Sequence, residues 1–314
     1  MLRRLARWAG SIPALLPLGF LAAIVLTLVF ATGLENFGLS FFGTDWNPST
    51  GDPSKAVFGI MTFVVGTLIT SVFALVFALG LSLALALSIV FYLPPRMSQV
   101  LAPFVDLLAG IPSVVYGIWG FWIVAPVFGE TINPTIVRYL GWIPGLQGPV
   151  IASGVGIPLA ILILTLMIVP VTTTLIRDSL RAVPQALDES GLALGATRWE
   201  VIRRVDIPYA KRGMWSAVLL GFGRAVGETV AVFMVIGDAT KLPASLLDVS
   251  YTMPGALVGQ LDSAFIQPNY LHALAELAIV LFLITFVVNF AGRRFVSRIV
   301  VRPTGALSVR GAGP

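Results

Sequence analysis

Six apolar runs, each about the length of a membrane-crossing helix, constrain this chain more than anything else in it. They cover about Ile12 to Ala31, Phe58 to Leu93, Val100 to Phe128, Val150 to Ile176, Met214 to Ile236 and Leu271 to Phe290. A hydrocarbon core ~30 Å thick takes roughly 20 helical residues, so each run is long enough to cross. The second exceeds one straight crossing and is expected to tilt or to continue beyond the lipid. Hydrophobic residues make up 57% of the chain and charged residues 11%, against ~25% charged in soluble domains. The expected fold is therefore an all-α integral membrane protein with six transmembrane helices.

The net charge of +5 is a topology signal and gives no support to nucleic-acid binding. With both termini on one side, the segments there carry Arg3, Arg4, Arg7, Arg96, Arg177, Arg181, Arg198, Arg203, Arg204, Lys211, Arg212, Arg293, Arg294, Arg298, Arg302 and Arg310. Lys55, Arg138 and Lys241 fall on the other side, and Arg224 lies within a run. Positive residues concentrate on cytoplasmic loops, so both termini are expected inside. The first run lacks a small-residue cleavage pattern at Val29-Phe30-Ala31 and is longer than a signal-peptide core, so it is expected to remain as an anchor. Residues 1–56 then form that anchor and an outer loop, 57–297 a core transmembrane domain, and 298–314 a basic tail.

Between the fourth and fifth runs lies a polar handle. Pro184 suits the first turn of a short helix, Leu187, Gly191 and Leu194 share a face, and Gly195 offers a stop. Thr197 with Glu200 three residues on is a capping box. Val201, Ile202 and Val205 continue an apolar face, which Pro208 is expected to end. The handle reads as helix, glycine turn, helix.

Arg224 and Glu228 sit inside the fifth run, where an ionisable group costs roughly 2.5 to 3.5 kcal/mol. Spaced i, i+4, they are expected to share a helix face and pair, although arginine first is the weaker order. One explanation is a structural lock that includes Glu276. The other is a translocation path, with Arg224 a transient anion contact and Glu228 tempering its grip. Asp106 is expected near the inner interface, beside the Gly110, Pro112, Gly117 and Gly120 that interrupt the third run. Glu276 and Asp106 are thus second candidates for path or lock. The segment Ala239 to Tyr270 is expected either to dip into the membrane or to cover the outer mouth.

No catalytic residue stands out. The chain has no Walker A loop for ATP, no cysteine, and one histidine, His272, which cannot build a zinc site alone. The glycines of Gly221 to Gly227 lie within an apolar helix, where Gly223 and Gly227 read as a GxxxG packing pair.

Three runs of residues carry a resemblance. Glu189-Ser190-Gly191, three residues, Gly195, nine residues, and Val205-Asp206-Ile207-Pro208 resemble the EAA loop of ATP-binding-cassette importer permeases. Ser190 and Gly191 stand where that family usually has alanines. Gly223 to Thr229 with Met234 to Gly237, and Leu107 to Gly120, resemble its phosphate-importer branch, and the similarity extends over nearly the whole chain from the first apolar run onward. The resemblance implies a type I importer permease fold in the bacterial inner membrane, with 177–212 as the loop that couples it to an ATPase. Glu189, Ser190, Gly191, Gly195, Trp199 and Pro208 would seat that loop, and Arg224 and Glu228 would line the path. It also implies a second permease, two cytoplasmic ATPase subunits that hold ATP and Mg, and an external phosphate-binding protein. No cofactor is expected on this chain. Alternatives are a permease for sulfate or molybdate, the other half of the phosphate pair, or an ion-coupled secondary transporter, which would need inverted repeats.

Overall fold

The computed structural model describes residues 19–30, 39–48, 56–265 and 268–298. The basic residues Arg3, Arg4 and Arg7, residues 31–38 and 49–55, and the predicted tail from 299 onward lie outside the described residues. Of the first apolar run, helix α1 (Gly19–Phe30) is described.

Helix α2 (Met61–Leu87) continues through a π turn to Tyr92. Its buried stripe is Gly66, Thr67, Thr70, Ser71, Ala74, Ala78, Ser82 and Ala86, small residues at helical spacing that let another helix approach closely. That helix is α5 (Ile157–Arg181), the most buried of the candidate spans, with 67% of its apolar window inside the protein. Hydroxyls fasten the two: Ser82 Oγ lies 2.5 Å from Thr172 Oγ1. Within lipid such bonds replace water as the only partners for buried polar groups.

The third run departs from expectation. Helix α3 (Pro95–Leu108) is a separate, amphipathic piece, and the chain breaks at residues 109–112. Helix α4 (Ser113–Leu140) then continues twelve residues past the predicted end at Phe128, through π turns at Gly120–Val124 and Phe128–Ile132. Pro112 cannot donate inside a helix but suits the position before one, so the break falls there. What read as a mixed outer loop is helical to Leu140, because two wide turns absorb Pro126 and Pro134.

The handle follows as α6 (Gln185–Ala193). Helix α7 (Arg198–Gly227) and helix α8 (Val230–Ile236) meet at a 60° bend. Met253–Gly259 (α9), Leu261–Ala264 (α10) and Pro268–Arg298 (α11) complete the chain. Among the described residues, four helices are long and apolar enough to cross a membrane, and five crossings result if α7 and α8 form one bent span.

Pro208 does not end the second handle helix. The π turn Ile202–Asp206 widens the helix just before it, so the proline ring avoids the carbonyl it would otherwise strike and α7 runs on.

At the end opposite the arginines, Trp46–Asn47 (β1) pairs antiparallel with Val57–Phe58 (β2). Trp46 stands edge-on to Phe58 and Phe63, and its indole donates to Gln260 Oε1 at 2.8 Å. The segment after α8 folds back onto the bundle. Ile157 N donates to Asp248 O and Ser250 N to Ile236 O, and Met253 N donates to Thr67 Oγ1 at 2.8 Å, in the second turn of α2. Gly66 has no room for a side chain, because a Cβ there would stand 2.2 Å from the Tyr251 carbonyl oxygen. The segment thus packs against the first turns of α2 and α5.

Candidate translocation path and coupling handle

The handle forms by local rules. Thr197 N donates to Glu200 Oε2 at 2.8 Å, and Glu200 N donates back to Thr197 Oγ1 at 3.3 Å, which completes the capping box. The box and the neighbouring Arg204 hold the Glu200 carboxyl below its usual range, the backbone bond to Thr197 contributing most. Gly195 has φ +86°, the left-handed turn that closes α6, and Ala196 N donates to Gly191 O.

The predicted handle residues divide between two faces. Gly191 faces inward, where a Cβ would lie 2.9 Å from Val201 Cγ2, so glycine allows α6 to lie close on α7. Glu189 is exposed, and Ser190 Oγ donates to Ala186 O within its own helix. Leu194 is 89% exposed and Trp199 51%. A cavity of about 330 Å³ opens beside Leu194, lined by Gly191, Leu194, Gly195, Glu200 and Arg204.

Beneath the handle, Arg177 is buried in the last turns of α5 and joins α3 to the bundle. Its Nη1 lies 3.3 Å from Asp106 Oδ2, and its Nε donates to Asp178 Oδ1 at 3.1 Å. Thr174 Oγ1 donates to Asp106 Oδ1 at 2.6 Å. These bonds, Thr174 first and then Arg177, hold the Asp106 carboxyl below its usual range against the opposing effect of burial. Through these bonds Asp106 ties α3 to α5.

Arg224 and Glu228 differ from expectation. They do not share a helix face, because α7 ends at Gly227 and Glu228 is extended, with φ −70° and ψ 125°. No ion pair joins them among the described residues. Each charge instead meets a favourable helix end. Arg224 occupies the last turn of α7, where carbonyls gather, and Glu228 Oε1 accepts from Ala231 N at 3.3 Å at the start of α8.

The bend brings two interrupted helices together. Helix α8 packs on the first turns of α4 at Gly117, where a Cβ would meet Met234 Sδ at 2.8 Å and Ala231 Cα at 3.1 Å. Tyr116, on the same turns, donates its hydroxyl to Leu108 O across the α3–α4 break. Arg224 Nε is buried without a hydrogen-bond partner among the described residues. A guanidinium with spare donors thus stands where two helices have opened their backbones.

Glu276 is fully buried in α11, but the structure does not bring it to Arg224. Helix α7 meets α11 where Gly223 faces Asn289, at 3.8 Å from a Cβ, and Glu276 lies about 20 Å of helix away from that contact. The predicted GxxxG packing pair also fails, since Gly227 is exposed with nothing near it. Gly221 does the packing, against Thr172 and Ile168 of α5. His272 belongs to no group of three or more potential metal ligands among the described residues.

Residues 77–301 match the family described as "Binding-protein-dependent transport system inner membrane component". The phosphate transport system permease protein PstC of Mesorhizobium japonicum is 36% identical over 93% of this chain and 89% of its own length. PstC of Pasteurella multocida is 38% identical over 89% and 87%. PstC 1 of Mycobacterium tuberculosis is 37% identical over 93% and 92%. Among solved structures, a bacterial alginate ABC transporter in complex with an alginate-bound periplasmic protein superposes with a TM-score of 0.61, at 17% identity over 95% of this chain and 96% of the other. The MetNI methionine ABC transporter, inward facing, gives 0.53 at 17% identity over 77% and 97%. At such identities the two structures speak for the fold alone.

Proposed function

Because the chain belongs to the family of binding-protein-dependent inner-membrane transport components, we propose that it is the PstC-type permease of an ATP-driven inorganic phosphate importer. The chain-long similarity to PstC proteins from several bacteria supports the substrate class. A permease of this kind catalyses no reaction of its own.

In this reading the chain crosses the inner membrane six times with both termini cytoplasmic, α7 and α8 forming one bent crossing and the run that contains α1 another. It pairs with a PstA-like permease, two PstB-like ATPase subunits on the handle side, and a PstS-like phosphate-binding protein outside. ATP and Mg belong to the ATPase pair. Closure of that pair on ATP pushes the handles together, and the motion opens the path outward. A short capped helix transmits such a rigid-body shift where a floppy loop would absorb it. Hydrolysis then resets the inward-facing state.

Arg224 carries the reading. An arginine at the bend, with donors to spare, offers phosphate a transient contact in a site of low dielectric. Glu228, just beyond the end of α7, supplies the negative charge that keeps the contact brief. The test is purification of the tagged chain from its native membrane, with every co-purifying subunit identified. Recovery of a second permease and a Walker-type ATPase is the expected result. A lone folded chain that moves an ion in liposomes would overturn the assignment.

A further inference from the structure

The handle contains an arrangement that neither the path nor the ATPase seat uses. Asp206, the last residue of the π turn in α7, is 1% exposed, and neither of its carboxylate oxygens has a hydrogen-bond donor among the described residues. Asp188, in the first turn of α6, also buries an oxygen without a donor. The Asp188 carboxyl stands near enough to act on that of Asp206, and one turn beyond Asp188 the close approach of Gly191 to Val201 holds the helices together. Two carboxylates have only acceptors to offer each other, so contact between them is stable only when one carries a proton.

This part of α7 stands outside the hydrocarbon. Arg198, Arg203, Arg204, Lys211 and Arg212 surround Asp206 in sequence, a density of charge that a lipid core does not accommodate. From the elements packed on Asp206, the charged groups that act on it are Asp188 of α6 and Arg198 of the first turn of α7. Arg198 is exposed and stacks over the Phe91 ring at 5.6 Å. Arg203 and Arg204 are exposed, and Glu200 is engaged in the capping box.

We propose that Asp188 and Asp206 share one proton, and that this proton clasps the handle helix α6 to the base of α7. They are positioning residues: they set how stiffly a push on the handle reaches the bent span. The inference rests on the proposed orientation, in which both residues meet the cytoplasm. Burial first, and the facing Asp188 second, raise the Asp206 carboxyl from 3.8 to about 7. A carboxyl raised in the folded state stabilises it fully below its unfolded value, and that contribution is lost as pH rises through the folded value. The clasp is therefore complete in mild acid and opens across the neutral range.

The test uses the whole importer complex in proteoliposomes, with the pH on the binding-protein side fixed and the ATPase side taken from pH 6 to pH 8. Hydrogen exchange of the α6 amides, corrected for intrinsic rate, reads the clasp directly, and labelled phosphate taken up per ATP hydrolysed reads its effect. In the wild type both protection and coupling ratio should fall several-fold, following a protonated fraction that drops from about nine-tenths to about one-tenth. Asp206→Asn keeps the shape and donates permanently to Asp188, so it should stay protected and coupled at both pH values. Asp206→Ala should be unprotected at both. A pH step that survives in Asp206→Asn, or wild-type α6 protection that is flat across the range, would overturn the clasp. If Asp206→Asn does not assemble, Asp188→Asn places the same amide on the other side of the pair and is judged by the same outcomes. Because exchange needs no substrate, pH-dependent protection without phosphate uptake would contradict the functional assignment and leave the clasp standing.

Discussion

The handle and the bend are both short interruptions between long apolar helices, yet different forces shape them. At the handle, the determinants lie within a few residues of what they determine. Gly195 takes φ +86°, and Thr197 and Glu200 cap each other three residues apart. At the bend, α7 stops at Glu228 with no proline nearby, and what directs the chain is the distant surface of α4 at Gly117, on which α8 packs. Local chemistry builds the part that meets water, while tertiary contact builds the part that lies in the membrane. In the proposed cycle the handle acts as a rigid lever, and the bend is a joint whose shape belongs to the bundle.

Three substitutions probe that difference. The largest effect is expected from Gly195→Val. A β-branched residue in the left-handed region costs about 1–3 kcal/mol, and the space around Gly195 is open, so strain alone would distort the turn. Uptake should fall at least ~10-fold while the ATPase subunits still hydrolyse ATP, since hydrolysis needs the seat and transport needs the lever. Unchanged uptake would mean that the turn does not set the lever.

Glu228→Ala should act at the other region. It removes the cap on α8 and the charge nearest the bend, and loss of such a cap costs about 1 kcal/mol. Uptake should drop several-fold, with weaker release showing as slower turnover at saturating phosphate. Full activity would separate Glu228 from the path.

Asp106→Asn should have the smallest effect and a definite sign with pH. Because Thr174 and Arg177 lower the Asp106 carboxyl, its contribution is present above the unfolded value of 3.8 and lost as pH falls through the lower folded value. The side chain is 45% exposed, so the loss in the variant is under about 1 kcal/mol. Thermal melts in detergent should show a small destabilisation at pH 7 that narrows towards pH 3. A difference that widens in acid would contradict the clasp of α3 to α5.

The same contrast explains what was legible in the sequence. The runs that became α2, α5 and α11 stood out because lipid selects continuous apolar length. The capping box and Gly195 were visible because their partners are sequence neighbours. The i, i+4 spacing of Arg224 and Glu228 misled, since it signals a shared face only while the helix continues. Gly223 and Gly227 misled likewise: GxxxG spacing permits close packing without supplying a neighbour, and the helix contact fell to Gly221. Pro208 looked like a stop because a π turn, which absorbs it, leaves no sequence mark. Asp206 stood in the sequence only as one member of the Val205 to Pro208 run, and its burial depends on α6 folding over it. Arg224 and Glu228 are thus legible as chemistry, as charges that lipid should exclude, while their geometry had to come from the fold.

The measurement that bears most directly on this account is labelled phosphate uptake, with ATP hydrolysis followed in the same proteoliposomes, by the complex carrying Arg224→Ala. Assembly and hydrolysis stimulated by the binding protein should persist, because the handle is untouched, and uptake should be lost. Normal uptake by that variant would contradict the claim that phosphate passes the bend at Arg224.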